Sequence, residues 1–354
     1  MSSPEDTAVP SLAARSPRVP PEQLVAELVP PPRFGDVRFA SYVPAPDQPT
    51  QAEAVQAMED FGGTVVSVGR ERPGGLAGLF KRRAPEAAGS SGIYLDGGFG
   101  VGKTHLLSSL YHQVVTEGGR RAAYGTFVEY TNLVGALGFL PAVEALADNA
   151  LVCIDEFELD DPGDTVLMSR LMRELVDRGV RLAATSNTLP GALGEGRFAA
   201  QDFQREIQAL AGRFDVVRVD GEDYRHRGLP AAPEPLDDAA VERVAASREG
   251  ATLDDFSAVL RHLADVHPSR YGAMVAGTSA VCLRGVSTVG DQMVGLRMVV
   301  LADRLYDRDV PVVASGVPFD AVFTTELVEG GYRKKYLRAV SRLSALARDG
   351  AALA

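Results

Sequence analysis

Apolar positions along the chain change period from segment to segment, and these changes give the first outline of its organisation. Residues 1 to about 35 keep no period and are broken by prolines, which predicts a poorly ordered tail. PTQAEAVQAMEDF (49–61) has apolar residues at helical spacing behind a proline-threonine start and predicts a helix. GRERPGGLAGLFKRRAPEAAGSSG then reads as a loop. From Gly92 short apolar runs alternate with helical ones. The strands expected are IYLD (93–96), AAYGTF (122–127), ALVCIDEF (150–157), RLAATSN (181–187) and DVVRVDG (215–221). The helices between them are KTHLLSSLYHQVVTEG, residues 130 to about 147, TVLMSRLMRELVDRG (165–179) and one within FAAQDFQREIQALAGRF. This alternation predicts an α/β fold with a mostly parallel sheet flanked by helices.

After Gly228 the texture shifts. LPAAPEPLDDAA reads as a hinge-like linker. DDAAVERVAASR and TLDDFSAVLRHLAD read as helical, AVCLRGVSTV and VPVVASG as strands, with the helix GLRMVVLADRLYDRD between them. A last amphipathic helix is expected from about Tyr332 to Ala347. The expected domains are a tail at 1–35, a core at 36–228 and a smaller mixed lid or appended domain at 229–354.

Composition narrows the function classes. The chain has 354 residues, is 45% hydrophobic and 23% charged, and carries a net charge of −11. That balance disfavours a general nucleic-acid coat protein. The basic cluster Lys81, Arg82 and Arg83 reads as a solvated linker before it reads as a contact for an anionic partner. The two cysteines, Cys153 and Cys282, read as buried thiols of a reducing compartment. No run is apolar over the ~18 residues needed to span a bilayer. The N-terminus lacks the apolar stretch of a signal peptide. The expected location is cytoplasmic, with peripheral attachment through a partner left open.

The chemistry-bearing motif is GGFGVGKTH. It fits G-x-x-x-x-G-K-[ST] at Gly97, Gly102, Lys103 and Thr104, directly between a strand and a helix. Glycines let successive backbone N–H groups turn toward phosphate oxygens, and the helix adds its positive end. The expected nucleotide-contacting stretch is Gly97, Gly98, Phe99, Gly100, Val101, Gly102, Lys103, Thr104 and His105, with a structural role expected for the His105 side chain. Lys103 is expected to bridge the β- and γ-phosphates of ATP, and Thr104 to hold Mg²⁺. About fifty residues later LVCIDEF ends a buried strand in Asp155 and Glu156. Asp155 is expected to reach the magnesium through water, and Glu156 to orient or deprotonate the attacking water. The next strand ends in Thr185-Ser186-Asn187, where Asn187 is the candidate for the γ-phosphate. Arg197, Arg205 and Arg213 are candidates for an arginine finger lent to a neighbouring subunit, Arg197 and Arg205 ahead of Arg213, and Arg297 for an intrachain sensor.

These motifs together resemble the ZapE family, AAA+-type ATPases related to a mitochondrial Afg-like branch. The resemblance runs from about residue 30 through PTQAEAV, IYLDGGFGVGKTHLL, LVCIDEFELDD, AATSNTLP, VDGEDYRHR and LRMVVLADRLYDRDVPVVAS. VDGEDYR and LYDRDVPVVAS are the more diagnostic pieces. The resemblance implies an AAA+ core, ATPase activity and, in bacteria, a role at the septal ring. In the mitochondrial branch it implies handling of inner-membrane or respiratory-complex proteins. The family has a Gly-Leu-Gln-Arg stretch where this chain has GEGRFAAQDFQREI, and the ungapped counterpart of the family arginine is Ala200. Arg197 and Arg205 therefore stand as alternatives. Abundant alanine and arginine with few lysines suggest a high-GC bacterial source and an actinobacterial branch.

The function expected is magnesium-dependent ATP hydrolysis that remodels or regulates a protein partner, a divisome component, through a nucleotide-dependent homo-oligomer. The alternatives are an ATP-dependent assembly switch without significant turnover and a helicase-loader-like protein that binds single-stranded DNA. The acidic charge disfavours the DNA-binding alternative.

Overall fold

A computed structural model describes residues 9–18, 20–67, 91–98, 100–157, 162–189, 212–221 and 232–354. Phe99, the basic cluster at 81–83, Arg197, Arg205, Ala200, most of the helix expected before residue 214 and the EDYRHR part of VDGEDYRHR lie outside the described residues. The chain divides into two compact units. One comprises Pro20–Pro30 and Phe34–Arg227; the other comprises Met1–Val19, Pro31–Arg33 and Gly228–Ala354.

In the first unit the described elements run in chain order as α1 (Pro21–Ala26), α2 (Pro49–Ser67), β1 (Gly92–Gly97), α3 (Lys103–His112), β2 (Ala122–Thr126), α4 (Phe127–Leu137), α5 (Phe139–Ala147), β3 (Leu151–Asp155), α6 (Pro162–Asp177), β4 (Arg181–Ser186) and β5 (Phe214–Val219). Among the described residues the strands form one sheet in the order β2-β3-β4-β1-β5, every pairing parallel. Parallel strands covered on both faces are apolar throughout, as the near-continuous runs in the sequence foretell. The period of two sorts each strand between the layers. Ile93, Leu95, Tyr124, Cys153 and Ala183 pack with Met58 of α2 and Leu106, Leu107 and Leu110 of α3. Tyr94, Ala123, Val152, Ile154, Leu182 and Ala184 pack with Leu133 of α4, Val143 of α5 and Met168 of α6.

The helix expected over 130–147 is two helices. Gly138 breaks it at a φ of 87°, and α4 and α5 meet at a bend of 120°. Thr126 starts α4 with a capping box: its hydroxyl accepts from the Glu129 N–H, and the Glu129 carboxylate accepts from the Thr126 N–H at 2.7 Å. Among the described residues no single helix is long and apolar enough to cross a membrane.

The second unit continues with α7 (Asp238–Ser247), β6 (Ala251–Asp255), α8 (Phe256–Asp265), α9 (Tyr271–Val275), β7 (Ala280–Val286), α10 (Gln292–Tyr306), β8 (Val312–Gly316), α11 (Thr325–Glu329) and α12 (Arg333–Ala351). Its described strands form a parallel sheet in the order β6-β7-β8. Strand β6 corrects the sequence reading, which ran TLDDFSAVLRHLAD together as helix. The helix begins only at Phe256. Asp254 looks like a helical surface acid in the sequence, yet it is a buried strand residue.

Asp254 also explains a second correction. The tail expected at 1–35 is ordered over its described part. The Asp254 carboxylate accepts from the Ser11 hydroxyl at 2.6 Å and from the N–H groups of Leu12 and Ala13 at 2.8 and 3.0 Å. Pro10 accepts from the Leu253 N–H at 2.9 Å, and Leu12 is fully buried beside Phe256 and Leu263. Averaged composition hides this, because prolines remove donors but leave carbonyl acceptors, and one leucine suffices as an anchor. Further along, α1 packs the partly buried Leu24 and Val25 against the first unit's core, and the Leu28 carbonyl accepts from the Tyr124 N–H at 2.8 Å.

The DRLYDRD segment (303–309) closes α10 with a charged network. Asp303 accepts from Arg338 at 2.7 Å and from Arg342. The guanidiniums of Arg33 and Arg342 lie 3.9 and 5.1 Å from the centre of the Tyr306 ring, and Arg33 pairs with Asp309 at 2.5 Å. Burial alone would raise the pKa of Asp303, but the two arginines outweigh it and hold it below the ordinary aspartate value. A depressed folded pKa stabilises above the unfolded value and is lost as pH falls through the folded one. Asp303→Ala removes the buried carboxylate that two nearly buried guanidiniums share and is expected to cost about 3–5 kcal/mol. Urea unfolding followed at neutral and acid pH checks this, and an unchanged neutral midpoint would contradict it.

Candidate functional site

Strand order creates the site. From β1 the chain crosses to β2 at the far edge of the sheet, whereas after β4 it returns past β1 to β5. Connections leaving neighbouring strands in opposite directions open a crevice at their C-terminal ends. The glycine loop lies there, between the end of β1 and the start of α3.

The loop's shape is fixed from several sides. Gly102 has a φ of 90°, and a Cβ there would lie 2.4 Å from the ring of Tyr42. A Cβ on Gly97 would lie 2.2 Å from the carbonyl oxygen of Val219 on β5. Tyr42 donates its hydroxyl to the Val101 carbonyl at 2.6 Å, and burial pushes its pKa up to about 12. His105 lies edge-on to Tyr42, and its Nε2 is 3.1 Å from the Arg38 carbonyl and 3.0 Å from the Ser41 hydroxyl. A carbonyl only accepts, so Nε2 carries the proton. Burial lowers this histidine's pKa, opposed by that backbone contact. The structure thus turns His105 toward the 38–42 segment, which braces the loop.

PTQ and VDG meet beside the same loop. Thr50 accepts from the Asp220 N–H at 2.9 Å, and Gln51 donates to the Asp220 carbonyl at 2.8 Å. Gln51 also accepts from the Ala45 N–H at 2.8 Å. Arg218 pairs with Asp220 at 2.7 Å and with the buried Asp96, the residue just before Gly97. Both segments look like family markers in the sequence; in the structure they tie α2 to the end of β5.

Lys103 Nζ donates to the carbonyls of Gly97 and Gly98 at 2.9 and 2.5 Å and to Asn187 Oδ1 at 2.9 Å. The lysine therefore sits inside its own loop and touches the end of β4. Thr104 Oγ1 is 3.4 Å from Asp155 Oδ1. The Thr185 hydroxyl also donates to that oxygen, and the Tyr124 hydroxyl donates to Asp155 Oδ2 at 2.8 Å. Burial first, then the Asp155 charge, pushes the Tyr124 pKa well above its ordinary value, so this phenol acts as a donor. Glu156 has a φ of 53°, a conformation non-glycine residues seldom adopt. Its N–H lies 3.1 Å from both Asp155 Oδ1 and Thr185 Oγ1. A hydroxyl and a carboxylate side by side are hard oxygen donors of the kind that suits Mg²⁺.

Of the residues singled out from the sequence, the structure brings together Gly97, Gly98, Gly100, Val101, Gly102, Lys103, Thr104, Asp155, Glu156 and Asn187 at this edge. Arg213 lies at the start of β5, at the opposite edge of the sheet, 3.9 Å from Asp177. Arg297 lies on α10 of the second unit, close enough to Tyr271 to act on its hydroxyl electrostatically. The sequence reading did not single out Tyr42 or Tyr124. Tyr124 reads there as one more apolar strand residue, and only the register of β2 on β3 aims it at Asp155.

A profile of the AFG1-like ATPase family matches residues 18–247 and 233–351. The cell division protein ZapE of Escherichia coli K12 is 34% identical over 149 residues, 40% of this chain and 40% of its own. An uncharacterized protein of Schizosaccharomyces pombe is 30% identical over 149 residues, 38% of this chain and 33% of its own. The lactation elevated protein 1 homolog B of Danio rerio is 25% identical over 213 residues, 54% of this chain and 42% of its own. The chain thus spans less than half the length of the relatives it matches.

The two ends of the glycine loop should differ in tolerance. Gly102→Ala forces a left-handed alanine against the tethered Tyr42 ring and is expected to cost about 1–2 kcal/mol for the backbone alone. Among the described residues a Cβ at Gly98 meets only the Gly221 carbonyl oxygen, at 3.8 Å, so Gly98→Ala should fold with wild-type stability. Thermal unfolding of the two variants side by side tests this; equal midpoints would contradict it.

Proposed function

The chain belongs to the AFG1-like ATPase family, and from that premise we propose that it is an AAA+-type, magnesium-dependent ATP hydrolase that remodels or regulates a protein partner in bacterial cell division. The observation that carries the reading is the convergence of Lys103, Thr104, Asp155, Glu156 and Asn187 at one sheet edge. Lys103 exchanges loop carbonyls for the β- and γ-phosphate oxygens of ATP. The N–H groups of the loop and of the first turn of α3 take the remaining phosphate oxygens. The Thr104 hydroxyl and the Asp155 carboxylate hold Mg²⁺, which when bound neutralises charge across the phosphates. Asn187, released from Lys103, faces the γ-phosphate. Glu156 orients a water and accepts its proton, with its backbone fixed by the Asp155 and Thr185 oxygens.

The remaining parts of the reading rest on position in the sequence. Arg197 or Arg205 serves as the finger lent to the next subunit of a nucleotide-dependent homo-oligomer, and Arg297 serves as the sensor within the chain. The core spans 36–228 and the appended lid 229–354. The ZapE resemblance supports a divisome component as partner and a cytoplasmic location, peripheral at the division site.

Phosphate release from purified full-length protein tests the reading. Lys103→Ala should abolish turnover. Glu156→Gln should bind ATP normally and lose about 10²–10⁴-fold in rate. Omitting magnesium should stop the reaction in the unmodified protein. Wild-type turnover in both variants would sink the mechanism. Light scattering with a non-hydrolysable analogue, run beside the rate assay, would expose a protein that assembles with ATP but does not hydrolyse it.

A further inference from the structure

The roles assigned so far leave the Tyr124 hydroxyl unused and use the Thr185 hydroxyl only where it accepts from Glu156. Tyr124 is buried in the layer between the sheet and α3, among side chains that a phenylalanine ring would fit equally well. Its hydroxyl is the difference, and a buried phenol needs a partner. The partner it finds is Asp155 Oδ2 at 2.8 Å. Thr185 is likewise almost fully buried, where a valine would fill the same space. Its hydroxyl donates to Asp155 Oδ1 and lies 3.1 Å from the Glu156 N–H, from which it accepts.

The donors come from opposite sides. Tyr124 stands on β2 and Thr185 on β4, the strands that flank β3. Tyr124 pairs with Cys153, two residues before Asp155, and its long ring reaches forward along the strand to the carboxylate. A carboxylate gripped on one oxygen only can still swing about its own side-chain bonds. One gripped on each oxygen from different strands holds its plane.

We propose that Tyr124 and Thr185 are positioning residues. They fix the plane of the Asp155 carboxylate toward Thr104 and, through the Thr185 hydroxyl, the left-handed backbone of Glu156. The proposal rests on the hydrolytic reading above and adds residues to it. The same arrangement ties the metal-binding carboxylate and the water-orienting glutamate to one hydroxyl, so loosening Thr185 disturbs both.

The test uses full-length Tyr124→Phe, Thr185→Val and Thr185→Ser, with Mn²⁺ as the probe. Electron paramagnetic resonance titrates Mn²⁺ into protein saturated with a non-hydrolysable ATP analogue. Steady-state phosphate release gives kcat and KM. Tyr124→Phe and Thr185→Val are expected to weaken Mn²⁺ binding and to lower kcat by about 10–100-fold each. KM for ATP and nucleotide affinity without metal should stay at wild-type values. Thr185→Ser, which keeps the hydroxyl, should recover most of both losses. A merely structural role would lower the melting temperature without moving Mn²⁺ affinity. Should Thr185→Val fail to fold, Tyr124→Phe decides the matter. Wild-type Mn²⁺ affinity and kcat in Tyr124→Phe overturn the positioning role alone, provided Lys103→Ala is inactive. Wild-type turnover in Lys103→Ala overturns the hydrolytic reading, and the positioning role with it.

Discussion

The register of β3 between β2 and β4 is the constraint on which the site depends. Side chains on a strand alternate faces, so a slip of one residue would move Asp155 from the α3 layer to the opposite one. It would then face α4, α5 and α6, and no longer the loop. The apolar pattern prevents this slip. Val152 and Ile154 fill one core and Leu151 and Cys153 the other, and exchanging them would disturb both layers. The same packing that stabilises the sheet therefore aims the acid. A polar group placed at the end of a well-packed strand inherits the precision of the packing behind it.

Much of this was legible in the sequence. A buried parallel strand is short, apolar and bounded by turns, and the runs at 93–96, 150–157 and 181–187 have that form. The glycine loop could be read because its chemistry needs fixed residue types at fixed spacing. What escaped the sequence has a common cause: it depends on partners distant along the chain. Strand β6 could not be separated from α8, because the pattern does not say that Asp254 turns inward to accept from residues 11–13. Gly138 splits one periodic run into two helices through a backbone angle that the period does not encode. Tyr124 became a site residue only once β2 was laid beside β3.

The segments most diagnostic of the family also acquire physical reasons. VDG supplies the Asp220 backbone groups that the start of α2 binds, so it meets PTQ across 169 positions of sequence. DRLYDRD (303–309) supplies Asp303, Tyr306 and Asp309 to arginines from both ends of the chain, Arg33 near the start and Arg338 and Arg342 near the finish. Neither motif needs to touch a ligand to be demanding. Each is a set of mutually satisfied polar groups in which removing one member costs its neighbours a hydrogen bond or an ion pair.

Lys103 carries a consequence for how the loop meets anions. Its ammonium already donates to Gly97, Gly98 and Asn187. An arriving ligand therefore competes with the protein's own oxygens, and the net gain is the difference between two sets of bonds. A lone inorganic anion offers little beyond what those carbonyls already give. A polyphosphate that also spans the N–H groups of the loop offers more, so the proposed nucleotide role asks of Lys103 a ligand long enough to outweigh the bonds it gives up.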